Sequence, residues 1–379
     1  MPAETVFRNA TIVLPDSIVT GSVKIVDGEI VAIDSGANTV GEDLGGDYLL
    51  PGLIELHTDH LESHYAPRPG VRWNAVSAVQ AHDAQIATSG ITTVFDCLRM
   101  GADEDGGFAP GEMRALADAI EGAQADGRLR AEHFLHLRCE VSSPDVLDAF
   151  DAFRGDRSVR LASLMDHAPG QRQFQTMGQY TLYYKTKRGL SEEAFQRYVE
   201  MRQEQSARYS AVHRAAIAQY CLENGVALAS HDDATLDHVD EAVGQGVRLA
   251  EFPTSIEAAR ASHNAGLSVL MGAPNVVRGS SHSGNIAARE LAEAGILDVL
   301  SSDYVPSSLL HAAFRLADEV EAITLPSAMA LVTATPARTV GLADRGVIAP
   351  GKRADLLRVR RRDDIPVVRE VWRGGLRVA

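Results

Sequence analysis

Apolar residues recur along this chain in two rhythms. Short runs of aliphatic and β-branched side chains stand at Leu53–His57, Ile91–Asp96, His133–Glu140, Leu161–His167, Ala227–His231, Leu249–Phe252, Ser268–Met271 and Asp298–Asp303. Between many of them the spacing is helical, at Ala75–Ser89, Met113–Gln124, Glu192–Asn224 and Ile286–Ala294. Three of these patterns stop at Gly90, Gly225 and Gly295, where a left-handed helix cap is expected. Eight strands alternating with helices predict a (β/α)₈ barrel. A doubly wound sheet is the competing architecture. Polar residues at the ends of many strands favour the barrel.

The chain ends follow another pattern. Short β-type runs separated by turn signals such as Asp27-Gly28 occupy the first fifty residues, and similar runs return at Ala354–Val359 and Val367–Trp372. One small composite β domain, sandwich-like and built from 1–52 and 340–379, is expected, with a hydrolase barrel over 53–339 inserted in it.

Composition narrows the function. The chain has 379 residues, 45% hydrophobic and 23% charged, which suits one large globular enzyme. A formal charge of −15 argues against nucleic acid or an anionic membrane surface as partner. An anionic substrate would then need locally concentrated cations. Cys97, Cys139 and Cys221 form no zinc-type pairs, and the N-terminal residues lack a basic region followed by an apolar run. A cytoplasmic location is expected, and a homodimer, as is common for such barrels.

Metal-competent side chains cluster at predicted strand ends. His57 and Asp59 alternate onto one face, suited to chelating a divalent cation. By itself such a triplet favours a surface loop. It recurs, however, as Arg138-Cys139-Glu140, Met165-Asp166-His167, Ser230-His231-Asp232-Asp233 and Ser302-Asp303-Tyr304. Two cations are expected, zinc or else manganese or iron: one on His57 and Asp59, the other on His167 and His231, with Glu140 as bridge. Asp303, also within the ligand set, is the expected general base, because coordination lowers the pKa of water from about 15.7 to about 7. A packed core histidine competes at His167, and an ion pair with Arg138 competes at Glu140. His60, Glu62 and His64 fit either a rim or a solvated loop. His82-Asp83 lies in an amphipathic helix, where packing is favoured, and His133, His213, His238 and His263 have no convergent context.

Anion-binding candidates follow. The run Asn275–Asn285 offers Arg278, Ser281, His282, Ser283 and Asn285 among small residues, just before a helical pattern. An ordinary loop explains that composition equally well. Lys185 and Lys187, in Tyr183–Arg188, and Arg68 and Arg72, in Pro67–Trp73, are further cations that could reach phosphate.

Several motifs carry a resemblance. Leu50–Asp59 and Pro350–Leu356 resemble the two ends of the amidohydrolase superfamily. Within it, His57-Thr58-Asp59, Pro67-Arg68-Pro69-Gly70, His82-Asp83-Ala84, Leu137–Glu140, Met165–Gln173, Met271–Asn275, Ser281–Asn285 and Ser302-Asp303-Tyr304 look like the PhnM family. The resemblance implies a diphosphatase of phosphonate catabolism, which converts α-D-ribose 1-methylphosphonate 5-triphosphate to the 5-phosphate and diphosphate. Where the superfamily more often has His-x-His and a carboxylated lysine, this chain has His57-Thr58-Asp59, which leaves the bridge to Glu140. An amidase or deaminase on the same framework, and a non-catalytic scaffold, are the other readings. The cationic segments speak against the first and the repeated strand-end ligands against the second.

Overall fold

A computed structural model describes residues 4–101, 108–109, 111–172, 191–279, 285–363 and 365–379. The eight predicted runs are strands: β6 (Leu53–Thr58), β7 (Ile91–Met100), β8 (Glu132–Glu140), β9 (Val159–Met165), β10 (Ala227–His231), β11 (Leu249–Glu251), β12 (Ser268–Gly272) and β13 (Val299–Ser301). They follow one another in chain order through a single sheet, paired in parallel where the register is defined. The last strand returns to the first through a parallel bridge between Thr58 and Asp303, so the sheet nearly closes. This is the barrel expected from the alternation. Every residue of β6, β10, β11 and β13 is buried, which explains why these strands are written as short apolar runs rather than alternating ones.

The chain forms two compact units, one of Met1–Asp96, Asp118–Phe134 and Met271–Ala379, the other of Cys97–Ala117 and Leu135–Leu270. In the first, a second sheet joins strands from the two chain ends. Its members are β1 (Glu4–Val13), β2 (Ile18–Val26), β3 (Glu29–Ser35), β4 (Glu42–Asp43), β5 (Tyr48–Pro51), β14 (Leu356–Arg362), β15 (Ile365–Arg373) and β16 (Leu376–Arg377). Strand β5 is central: it pairs in parallel with β1 and antiparallel with β14, where Leu356 faces Pro51. Phe7, Ile12, Val23, Leu49, Leu356 and Trp372 form the apolar core beneath it, with the Phe7 and Trp372 rings 4.5 Å apart.

Two helices of this unit matter for the chemistry. Helix α2 (Ala75–Thr88) begins where the Asn74 side chain accepts a hydrogen bond from the Ser77 amide at 3.0 Å. It stops at Gly90, whose φ of 92° suits glycine, and where a Cβ would press on Leu357. Residues His60–Tyr65, for which a loop was one alternative, form the short helix α1.

The second unit carries a long helix, Glu192–Asn224, in the predicted bounds. Ser191 caps its start and Gly225, at φ 69°, caps its end. No helix among the described residues is long and apolar enough to cross a membrane.

Candidate active site

In the second unit, two strand ends supply the functional groups. His167 follows β9, His231 ends β10, and Asp232 follows it with a left-handed backbone at φ 56°. That conformation is uncommon for a residue with a Cβ. The His167 Nε2 and His231 Nε2 atoms lie 3.7 and 3.5 Å from Asp232 Oδ2. All three donor atoms fall within 4.8 Å of one another. Asp232 Oδ2 is buried without a hydrogen-bond partner. A buried carboxylate oxygen without a hydrogen bond is costly, and two imidazole nitrogens plus one carboxylate oxygen form a donor set suited to zinc-type cations. The residues present therefore fit a divalent metal.

Each imidazole is oriented from behind. Glu140 Oε2 bonds His167 Nδ1 at 2.7 Å, and Glu251 Oε2 bonds His231 Nδ1 at 3.0 Å. Such carboxylate–histidine pairs fix the ring so that Nε2 faces the metal position. Glu140 is itself held by Arg202 of the long helix, at 3.1 Å, and by the Ser142 hydroxyl. Ser206 and Ser210 of the same helix both donate to Asp166 Oδ2 at 2.7 Å. Both Glu140 oxygens are thus occupied, and its carboxylate stands behind His167 rather than among the three gathered donors. Burial opposes charge on Glu140, but His167 and Arg202 hold its carboxyl down at about 2. Burial likewise opposes the His167 imidazolium, and Glu140 and Asp232 outweigh it, holding the ring up at about 10. At His231 burial wins, and its pKa is lowered.

The first unit brings the ends of the first and last barrel strands together. The Asp59 amide donates to the Asp303 carbonyl at 3.2 Å, and the Thr58 hydroxyl to the same oxygen at 3.0 Å. Asp303, like Asp232, has a left-handed backbone, with φ 54°. His57 is buried, and its amide donates to Glu55 at 2.6 Å. Glu55 also accepts from the Ser301 hydroxyl at 2.7 Å and from the Ser302 amide. Burial pushes its carboxyl up despite these donors. His57, Asp59 and Asp303 are thus carried to one strand-end region, as the sequence predicts.

A second polar group lies in the same unit. His60 and His64 of α1 meet His82 of α2, with all three ligand-type nitrogens within 4.8 Å of one another. His82 Nε2 bonds Asp96 Oδ1 at 2.8 Å, and Asp96 Oδ2 bonds His133 Nδ1 at 2.7 Å. Burial, then repulsion from His82 and His64, lowers the His60 imidazole to about 4. His133 has the opposite fate: burial disfavours its charge, but Asp96 and Asp83 raise it to about 9.

The anion-binding candidates divide. Arg68 and Arg278 are exposed, and Asn285 is half-buried. Arg278 closes a short helix, Ala273–Arg278, where sequence composition leaves a flexible loop equally open. The following helix, Ala288–Glu293, starts at an amide bonded by Asn275 Oδ1 at 3.1 Å. Lys185, Lys187, Ser281, His282 and Ser283 lie outside the described residues. Neither Asp232 nor Glu251 is given a role by the sequence. Glu251 carried a signal, a carboxylate closing an apolar run. Asp232 was indistinguishable from Asp233 until the backbone turn separated them.

Comparison with known proteins agrees with this architecture. Residues 224–379 match the amidohydrolase family model. The chain is 48% identical over 376 residues to alpha-D-ribose 1-methylphosphonate 5-triphosphate diphosphatase of Escherichia coli (strain K12), covering 98% of this chain and 100% of that protein. Among solved structures, an amidohydrolase from an environmental sample of the Sargasso Sea aligns with TM-score 0.65 at 18% identity, over 100% of this chain and 93% of that one. An N-acetyl-D-glucosamine-6-phosphate deacetylase from Mycobacterium smegmatis aligns with TM-score 0.62 at 16% identity, over 99% of both chains. At near-half identity across its whole length, the chain belongs to the PhnM family of the amidohydrolase superfamily.

Proposed function

We propose that this protein hydrolyses α-D-ribose 1-methylphosphonate 5-triphosphate to the 5-phosphate and diphosphate, as a step in phosphonate catabolism. The observation that carries the reading is 48% identity across the full length of a relative with that activity. Water adds to phosphorus, the bond between the α-phosphorus and its bridging oxygen breaks, and diphosphate leaves. His167, His231 and Asp232 would hold one divalent cation, and His57 and Asp59 a second, with zinc, manganese or iron compatible with such donors. A cation bound there supplies Lewis acidity and makes water acidic enough to deprotonate near neutral pH.

The chain's own residues do the rest. Asp303 accepts the proton of the attacking water. Glu140 and Glu251 hold the two imidazoles in register. Arg68, Arg278 and Asn285, with Lys185, Lys187, Ser281, His282 and Ser283, neutralise and orient the phosphates. Positive charge at the phosphates would offset a chain charge of −15 that otherwise repels a triphosphate.

Phosphorus NMR of a reaction with the ribosyl triphosphate tests this, following diphosphate as it appears. Asp303→Asn is expected to lower turnover by about 10²–10⁴-fold with the fold intact, the range for losing a positioned general base. Full activity in that variant removes Asp303 from the role. Ammonia from an amide panel, with no diphosphate from the triphosphate, replaces the reading with an amidohydrolase one.

A further inference from the structure

We infer that His60, His64 and His82 form an additional transition-metal site that joins α1 to α2. His60 and His64 stand four positions apart on one helix, so their rings project from the same face. Helix α2 presents His82 against them. The three ring centroids lie 4.8, 5.6 and 6.2 Å apart, and the donor atoms all fall within 4.8 Å. His60 Nδ1 and His82 Nδ1 are separated by 3.4 Å. Two nitrogens on a tetrahedral zinc at about 2.0–2.1 Å sit roughly 3.3–3.4 Å from each other, so this pair already has the required spacing.

Two further observations point to a ligand. His64 Nε2 is a buried ring nitrogen with no hydrogen-bond partner. His82 is backed as metal-binding histidines are: its Nε2 is fixed by Asp96 at 2.8 Å, and Asp96 in turn by His133 at 2.7 Å. With Nε2 donating to Asp96, His82 Nδ1 presents a lone pair toward the other two rings. Without a cation, the His60 Nδ1 proton can occupy that lone pair, but nothing then satisfies His64 Nε2. A single cation satisfies all three rings. A donor set made only of imidazole selects zinc, nickel or copper over magnesium, calcium or manganese. His60 and His64 are half-buried, so the group lies near the surface of the unit. The consequence is mechanical: a six-residue helix too short to be stable alone is stapled to its fourteen-residue neighbour.

The test uses the full chain, stripped with a chelator, reloaded with excess zinc, desalted and assayed by elemental analysis beside His64→Gln and the double variant His60→Gln/His64→Gln. The parent is expected to retain one more equivalent than either variant, with diphosphatase turnover within about twofold in His64→Gln. Hydrogen exchange on the parent supplies a readout that needs no variant. Zinc should slow exchange across residues 60–65, at least tenfold, while magnesium leaves it unchanged. Equal zinc content in all three proteins overturns the site. So does exchange at 60–65 that ignores zinc, or a His64→Gln protein that loses every equivalent at once.

Discussion

Glu55 and Asp232 are both carboxylates buried in the barrel strands or at their ends, yet their surroundings differ in kind. Glu55 accepts from two backbone amides and the Ser301 hydroxyl, so its oxygens are occupied by fixed donors. Asp232 leaves a buried oxygen without a hydrogen bond, with an imidazole nitrogen 3.5 Å to one side and another 3.7 Å to the other. Burial of charge therefore does not mark a reactive centre. An unsatisfied oxygen facing two imidazole nitrogens is the difference. The first carboxylate ties strands together, and under the proposed function the second would hold a cation.

That contrast can be broken by experiment. The largest effect should come from Asp232→Asn, which removes a direct donor and is expected to weaken divalent cation binding by more than about 100-fold, beyond the 10–100-fold typical of an outer partner. Isothermal titration with zinc or manganese measures it, and unchanged affinity would place the ligand set elsewhere. Glu251→Gln should fall inside that 10–100-fold range, because it only orients His231.

Glu55→Gln should do the reverse. It turns a donor toward groups that already donate, with an expected cost of about 1–3 kcal/mol in urea unfolding and no loss of bound metal. Metal loss in that variant would erase the distinction between the two carboxylates.

The gentlest probe is pH. His167 in the free protein is held up at about 10 by Glu140 and Asp232 against burial, and must shed its proton to bind a cation. Cation affinity should therefore rise about tenfold per pH unit as pH climbs from 7 to 9, levelling near 10. A flat dependence would mean that His167 does not coordinate.

Much of this was visible in the amino-acid order. All eight barrel strands were legible because strands packed on both faces become unbroken apolar runs, as in Ala227–His231. The strand-end placement of His57, Asp59, His167, His231 and Asp303 was legible because they close or follow such apolar runs. Other features were not. Helix α1 is six residues long and mostly polar, so no periodicity distinguishes it from a loop. Asp232 is set apart from Asp233 by a left-handed backbone and by its partners, Asp233 being paired with Arg172, and composition encodes neither. The three-histidine group depends on α1 and α2 packing side by side, a tertiary fact with no local signature.

The pairing of β5 with β14 has a bearing on how the molecule comes into being. Leu356 lies opposite Pro51, so the inner strand of the terminal sheet meets one flank early in synthesis and the other only after the whole barrel has emerged. Until then an open strand edge, ready to template unwanted pairing, is exposed on the nascent chain. Such a distant closure slows maturation and makes it sensitive to lesions near Leu356 or Trp372, far from any chemistry.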